Sequence, residues 1–404
     1  MLTLAQALER LVGAVRPFPA TDAESVSTFD ALGRVLADDV RSALDVPPAD
    51  NSSMDGYAVR CADVPAAGAV LPVAQRIPAG VPPQPLAAGT AARIFTGAQI
   101  PPGADAVVMQ EQAAALEGGV RVDTMPEPGQ WIRRRGEDVR SGAVVLPRGE
   151  RLTPQALGLA ASVGAAALRV ARRPRVALFS TGDELVMPGE PLKPGAIYNS
   201  NRYTLRGLIE ALGCACTDLG IVPDRLDATR DALRRAAQGH DLIVTSGGVS
   251  VGEEDHLRPA VQAEGRLDLW QIAMKPGKPL AFGEVRRPDG SDAYFIGLPG
   301  NPVSSFITFV LAVRPVLLHL QGVAAWQPRP LTLRADFDWP RPDKREEFLR
   351  VRRNDAGGLD LFPNQSSGVL TSVVWGDGVV DNPSGQAIRR GDAVRYLGFA
   401  ELLR

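Results

Sequence analysis

Apolar residues at Leu4, Leu8, Leu11 and Val15 recur at helical spacing, which predicts an amphipathic helix over Met1–Val15. Thr3 followed by Gln6 matches a capping box at its start. From about Val46 to Arg135 the helical period is lost. Pro and Gly recur every few residues, and short apolar runs such as Ala106-Val107-Val108-Met109 predict a mainly β module with many turns. Leu152–Val170 is rich in Ala and Leu and predicts a helix that packs on the N-terminal one. The β module would then interrupt one helical unit. From Pro174 to about Gly322 the pattern alternates. Strands are predicted at Arg175–Phe179, Asp241–Val244 and Ala293–Ile296, and helices at Thr204–Leu212, Leu226–Ala237 and Val303–Leu320. Such alternation means βαβ units and a mostly parallel sheet. In the tail, Leu331–Arg334 and Gly391–Tyr396 read as short strands of a small β-barrel or sandwich. Arg390-Gly391-Asp392 reads as a turn entering a strand.

The predicted class is therefore α/β plus β, in several units along an elongated chain. An elongated helical unit takes residues 1–46 and 137–173, and a β-rich insertion takes 47–136. An α/β domain takes 174–324 and a small C-terminal β-barrel 325–404. A length of 404 residues exceeds one ordinary core. With 45% hydrophobic and 22% charged residues the chain reads as globular. The net charge of −2 removes any global electrostatic case for nucleic acid or an anionic membrane. Three cysteines (Cys61, Cys214, Cys216) form no CxxC pair, and three histidines have no metal-ligand spacing. No signal pattern opens the chain. Phe306–Leu320 is apolar but interrupted by Arg314 and Pro315, and reads as too short for a membrane span. A cytoplasmic location is expected.

Candidate chemistry gathers on loops that follow the α/β strands. These are Ser180–Glu184, Thr245–Ser250 and Gly297–Ser305, rich in Gly and hydroxyls. In an open parallel sheet such loops share the ligand-binding crevice. Gly300–Ser305 also opens the last long helix, whose first N–H groups are expected to hold an anion. Met274-Lys275-Pro276-Gly277-Lys278-Pro279 sets two ammonium groups in a stiff segment. Carboxylates stand at Glu184, Asp224, Asp255, Asp55 and Asp138, more than one Mg²⁺ requires. For Asp224 the plainer reading is a cap on the following helix. The juxtaposition of bare backbone, hydroxyls and acids in TSGGVSVGEEDH (245–256) points to phosphate held with magnesium.

Seven stretches resemble one family in order along the whole chain. They are DNSSMDGYAVR (50–60), IFTGAQIPPGADAVVMQE (94–111), RRRGEDV (133–139), FSTGDEL (179–185), TSGGVSVGEEDH (245–256), MKPGKPLAFG (274–283) and GLPGNPVSS (297–305). Together they resemble the molybdopterin molybdenumtransferases, which include the MoeA proteins and the E domains of plant relatives and gephyrin. The resemblance implies insertion of molybdate into adenylylated molybdopterin with release of AMP, dependent on Mg²⁺. It implies an α/β domain like the molybdopterin adenylyltransferases. It also implies a homodimer whose site lies between the α/β domain of one subunit and the β insertion of the other. Asp55, Thr96, Asp138, Glu184, Asp224 and Asp255 match the family's important polar residues, with Glu184 and Asp255 as metal ligands. Lys275, Lys278, Ser304, Arg345 and Ser367 match positions tied to molybdate or the adjoining ligand end, with Ser366 an alternative to Ser367. Pro299 and Pro302 shape the GLPGNP loop. Gly182, Ser246, Gly247, Gly248, Ser250, Gly300 and Asn301 complete the expected substrate-binding set. A molybdopterin adenylyltransferase is an expected partner. Alternatives are adenylyltransferase activity itself, or a non-catalytic molybdopterin-binding or scaffold role.

Overall fold

The computed structural model describes residues 1–249 and 256–403. A six-stranded sheet carries the α/β domain in the order Ala215–Val222, Arg175–Thr181, Leu242–Ser246, Asp292–Leu298, Pro279–Arg286, Gly265–Gln271. The first four strands are parallel, and the last two close the edge as antiparallel neighbours. Ala215–Val222, Pro279–Arg286 and Gly265–Gln271 are not among the strands expected from the hydrophobic pattern. The buried strands are runs such as Val176-Ala177-Leu178-Phe179 because both faces are covered. Helix Ser200–Ala211 and the last long helix pack on one face. Leu226–Ala237 and Leu257–Glu264 pack on the other.

The last long helix runs through Pro302–Thr308, a π-helical turn at Phe309–Val313, and Arg314–Leu320. The widened turn directly precedes Pro315, where a regular helix would need an N–H that proline lacks. Arg314 and Pro315 therefore do not break the helix. Its 19 residues are long and apolar enough to cross a bilayer, but 94% of the most apolar window is buried inside the protein. Burial, and not length, identifies it as a core helix.

Two further expectations are corrected. Leu152–Val170 is not one helix. Helix Pro154–Ser162 ends before Gly164, which has φ +82°, and Ala167–Val170 continues as a strand antiparallel to Glu24–Ser27. Ala-Leu-Arg-Val alternates exposed and buried, a period of two that outweighs the helical propensity of Ala and Leu. The N-terminal helix Leu4–Ala14, with its capping box as expected, does not pack on this segment. Leu4, Ala7 and Leu11 join the core beside the long helix of the α/β domain. The preceding Leu2 donates its N–H to Gln271 O at 2.9 Å. The unit built from Glu24–Ser27, Val40–Arg41, Val144–Leu146 and Ala167–Val170 is thus mostly short sheet around one nine-residue helix.

The β module is a six-stranded sheet in the order Ala106–Met109, Gly56–Val59, Ala91–Ile94, Ala69–Ile77, Gly119–Val122, Ala113–Leu116. The tail forms a closed barrel through Glu346–Arg353, Gly358–Leu361, Leu331–Ala335, Ala393–Gly398 and Gly378–Asn382, whose last strand returns to the first. The ring is open at one side of Glu346–Glu347, because Gly358–Leu361 pairs only with the Val351–Arg353 end of that strand. Met274–Lys275 pairs in parallel with Glu346–Glu347, so the KPGK segment enters the site stitched to the barrel.

Candidate active site

Strand register builds the site. Ser180 pairs with Ser246, Ser246 with Leu298, and Thr181 with Val222. Four parallel strands therefore end at one level, and the loops beginning at Gly182, Pro223, Gly247 and Pro299 emerge side by side. The chain reverses direction across the sheet between Arg175–Thr181 and Leu242–Ser246, the switch point where such sheets open a crevice. A cleft of about 980 Å³ lies there. It collects Gly182, Glu184, Asp224, Ser246, Gly247, Gly248, Lys275, Lys278, Pro299, Gly300, Asn301, Pro302, Ser304, Arg345, Ser366 and Ser367. Ser250 and Asp255 lie outside the described residues.

The glycines are bare for a steric reason. Gly247 has φ +91°, and a Cβ there would stand 2.7 Å from Thr181 O. At Gly248, with φ +66°, it would meet Thr181 Oγ1 at 3.0 Å. Any side chain would force these two loops apart. Asn201, absent from the sequence expectations and buried, ties two loops from the other side. Its Nδ2 donates to Ser246 Oγ and to Gly300 O, both at 2.7 Å. The signal was Asn199-Ser200-Asn201 at a helix start, where Asn199 accepts from the Arg202 N–H.

The cleft has two electrostatic ends. Glu184 and Asp224 supply acid at one. The Glu184 carboxylate folds over the bare Gly182, where a Cβ would sit 2.6 Å from its Oε2. Asp224 is not the cap of the next helix; Arg225 holds that position without a side-chain bond. At the other end stand Lys275, Lys278 and Arg345. Lys275 Nζ lies 3.3 Å from Glu347 Oε1 and 3.5 Å from Asp343 Oδ2. Arg345 grips Asp343 through Nε and Nη2, both at 2.9 Å. The Arg345 guanidinium holds the Asp343 carboxyl far below its ordinary range. Asp343 thus spaces Lys275 and Arg345 as neighbours. Lys278 is exposed and has no ion pair among the described residues.

The helix N-terminus does less than expected for an anion. Pro302 has no N–H, the Val303 N–H goes to Ser367 O at 3.0 Å, and the Ser305 N–H goes to Asn301 O at 2.9 Å. The helix start mainly fastens the Ser366–Ser367 loop of the barrel to the cleft. From below, buried Arg350 donates to Ser366 O at 3.2 Å, and the Arg350 N–H donates to Gln365 Oε1 at 2.8 Å. Burial lowers the Arg350 pKa to about 10. Arg350, Gln365, Asp343 and Glu347 lie outside the motifs read from the sequence, and Lys275, the partner of Asp343 and Glu347, comes from a strand about seventy residues earlier.

Asp55, Thr96 and Asp138 do not line this cleft. Asp55 and Thr96 meet each other in the β module, where the Thr96 N–H and Oγ1 donate to Asp55 Oδ1 at 2.7 and 2.8 Å. These bonds hold the Asp55 carboxyl below its ordinary range. Asp138 is exposed on a separate turn. The cysteines stand apart from this chemistry. Burial pushes the Cys214 thiol up to about 12 and those of Cys61 and Cys216 up to about 11.

Three family models cover the chain in sequence. They are the MoeA N-terminal region (domain I and II) over residues 2–164, a probable molybdopterin binding domain over 177–319, and the MoeA C-terminal region (domain IV) over 332–399. A curated Haemophilus influenzae protein named molybdopterin molybdenumtransferase is 45% identical over 332 residues, 82% of this chain and 80% of that one. One of the same name from Synechococcus elongatus is 35% identical over 398 residues, 96% of each chain. A crystal structure of a molybdopterin biosynthesis MoeA protein from Pyrococcus horikoshii superposes with a TM-score of 0.84 at 29% identity, over 98% of this chain and 100% of that one. Sequence, domain order and fold agree, and the chain belongs to the MoeA family of molybdopterin molybdenumtransferases.

Proposed function

We propose that this transferase inserts molybdenum from molybdate into adenylylated molybdopterin, releasing AMP and forming molybdenum cofactor. The observation that carries this reading is the cleft with acid at one end and three cations at the other. A molybdate dianion needs cationic donors, which Lys275, Lys278 and Arg345 supply beside the Ser304 hydroxyl. A diphosphate needs a divalent metal. Glu184 and Asp224 fit magnesium, which takes one or two carboxylates together with phosphate oxygens and water. Asp255 is the further proposed ligand. When bound, the metal neutralises the diphosphate and polarises the P–O bond that breaks.

The chain's own residues bind and orient. The Gly247–Gly248 backbone and Ser246 lie against the ligand's polar groups, and Asn201 keeps their loop in register with Gly300. Lys275 and Arg345, spaced by Asp343, hold the oxyanion at the dithiolene end. No nucleophilic side chain is required. Asp55 and Thr96 act across a homodimer, on the cleft of the partner subunit. Substrate arrives from a molybdopterin adenylyltransferase, and the cytoplasm is the proposed compartment.

Reconstitution tests this reading. Purified protein with adenylylated molybdopterin, Mg²⁺ and micromolar molybdate is expected to release AMP only when molybdate is present, and Glu184→Ala to abolish release. Tight binding of the adenylylated pterin with no turnover would favour a binding or scaffold role instead.

A further inference from the structure

The β module carries a charged cluster that none of the cleft chemistry uses. Arg76 and Arg93 are direct cross-strand neighbours in the parallel pair Ala69–Ile77 and Ala91–Ile94. Both guanidiniums lie over one ring: Arg76 Cζ is 4.6 Å and Arg93 Cζ 4.7 Å from the centroid of Phe95. Arg93 is also anchored, donating from Nη1 to Gly56 O at 3.0 Å and from Nη2 to Gln110 Oε1 at 2.8 Å. Arg76 is exposed, and neither arginine forms an ion pair among the described residues. Like charges directly opposite on a sheet repel, and a shared aromatic ring offsets only part of that. An arriving anion relieves the repulsion.

The position matters as much as the charge. Phe95 adjoins Thr96, and Gly56 adjoins Asp55, the pair held by 2.7 and 2.8 Å bonds. One corner of the module therefore presents two planar cations, an aromatic face, a hydroxyl and a carboxylate. Guanidiniums take phosphate oxygens two at a time, and the planar guanidiniums that Phe95 holds in place offer a flat surface to a base. We infer that Arg76, Phe95 and Arg93 form a clamp for the adenylate half of the substrate, taking its phosphate and stacking its base. This rests on the shared-site reading above, in which Asp55 and Thr96 work on a neighbouring cleft.

AMP itself is the probe, titrated into the full-length protein by calorimetry. Arg76→Gln is the principal variant, since that side chain makes no hydrogen bond that folding depends on; Phe95→Leu keeps apolar bulk without the ring. Each is expected to weaken AMP binding about tenfold or more, a loss of about 1.4 kcal/mol. Arg76→Lys should recover part of it, and molybdate binding should stay unchanged. In turnover, Arg76→Gln should raise KM for the adenylylated pterin and leave kcat unchanged. Wild-type AMP affinity in both variants, or no AMP binding by the unaltered protein, overturns the clamp. The insertion reading is judged separately, by molybdate-dependent AMP release from the unaltered protein, so either idea can fail alone.

Discussion

The cleft of the α/β domain and the Asp55–Thr96 corner of the β module teach opposite lessons about assembling a site. In the cleft, four strands of one parallel sheet end in register, and residues more than a hundred positions apart converge because the sheet leaves their loops no other place. The corner is made within its own sheet, by Gly56 and Ile94 pairing across two strands with Asp55 and Thr96 just beyond them. It is complete locally and has no share in the cleft. The cleft supplies acid from Glu184 and Asp224 and cations from Lys275, Lys278 and Arg345; the corner supplies a hydrogen-bonded carboxylate beside two arginines. In the symmetric dimer proposed above, these two regions are the halves of one shared site.

The sharpest way to break that comparison is subunit mixing. Glu184→Ala and Asp55→Asn should each lower AMP release by about a hundredfold or more as pure proteins. Refolded together in equal amounts, they should recover about a quarter of wild-type activity, because half the dimers then carry one intact composite site. No recovery on mixing, with dimers formed, would mean that corner and cleft do not cooperate.

Next in size is the cationic end. Lys275→Ala removes a charge-assisted contact worth about 1.5–3 kcal/mol. Molybdate affinity should fall about 10- to 100-fold by equilibrium dialysis, with AMP affinity unmoved. A parallel loss of both would erase the division of the cleft into two ends.

Asn201→Ala probes the cross-tie between loops. Ser246 and Gly300 would lose their common donor, at a cost of about 1–3 kcal/mol. Activity should drop with the overall fold retained by circular dichroism, and Asn201→Asp should not rescue it, since a carboxylate cannot donate.

The smallest effect belongs to Glu346, which follows Arg345 but whose side chain lines a separate cavity with Asp381 and Arg395. Burial, with the neighbouring Asp381 carboxyl, raises the Glu346 carboxyl from 4.5 to about 7. The folded chain therefore holds this proton more tightly than the unfolded one, and stability falls as pH rises from 4.5 towards 7. Glu346→Gln should raise the melting temperature by about 2 °C at pH 8 and leave it unchanged at pH 4. Equal shifts at both pH values would point to packing instead of the proton.

Much of this molecule is legible in the sequence alone. The βαβ alternation, the Gly- and hydroxyl-bearing loops and the KPGK segment were all readable, because apolar periodicity and Gly/Pro punctuation are local properties. So were the residues of the GLPGNP loop, which does line the cleft. The misreadings have physical causes too. Ala167–Val170 sits in an Ala-rich stretch, and only a strand partner 143 residues earlier, Glu24–Ser27, makes it β. Asp224 looked like a cap because acids often precede helices; the register of Thr181 with Val222 turns it into the cleft instead.

What the sequence by itself determined is the chemical inventory: which loops carry acids, cations and bare backbone, and in what order. Tertiary structure alone decided which of them share a space. Glu347 becomes a buried partner of Lys275 only because a two-residue strand adds to the barrel edge. The Val303 N–H of the long helix is withdrawn from any ligand because a barrel loop, at Ser367 O, reaches it first. Hydrogen bonds of this kind join segments far apart in the chain, and their existence depends on packing distances that no local pattern encodes.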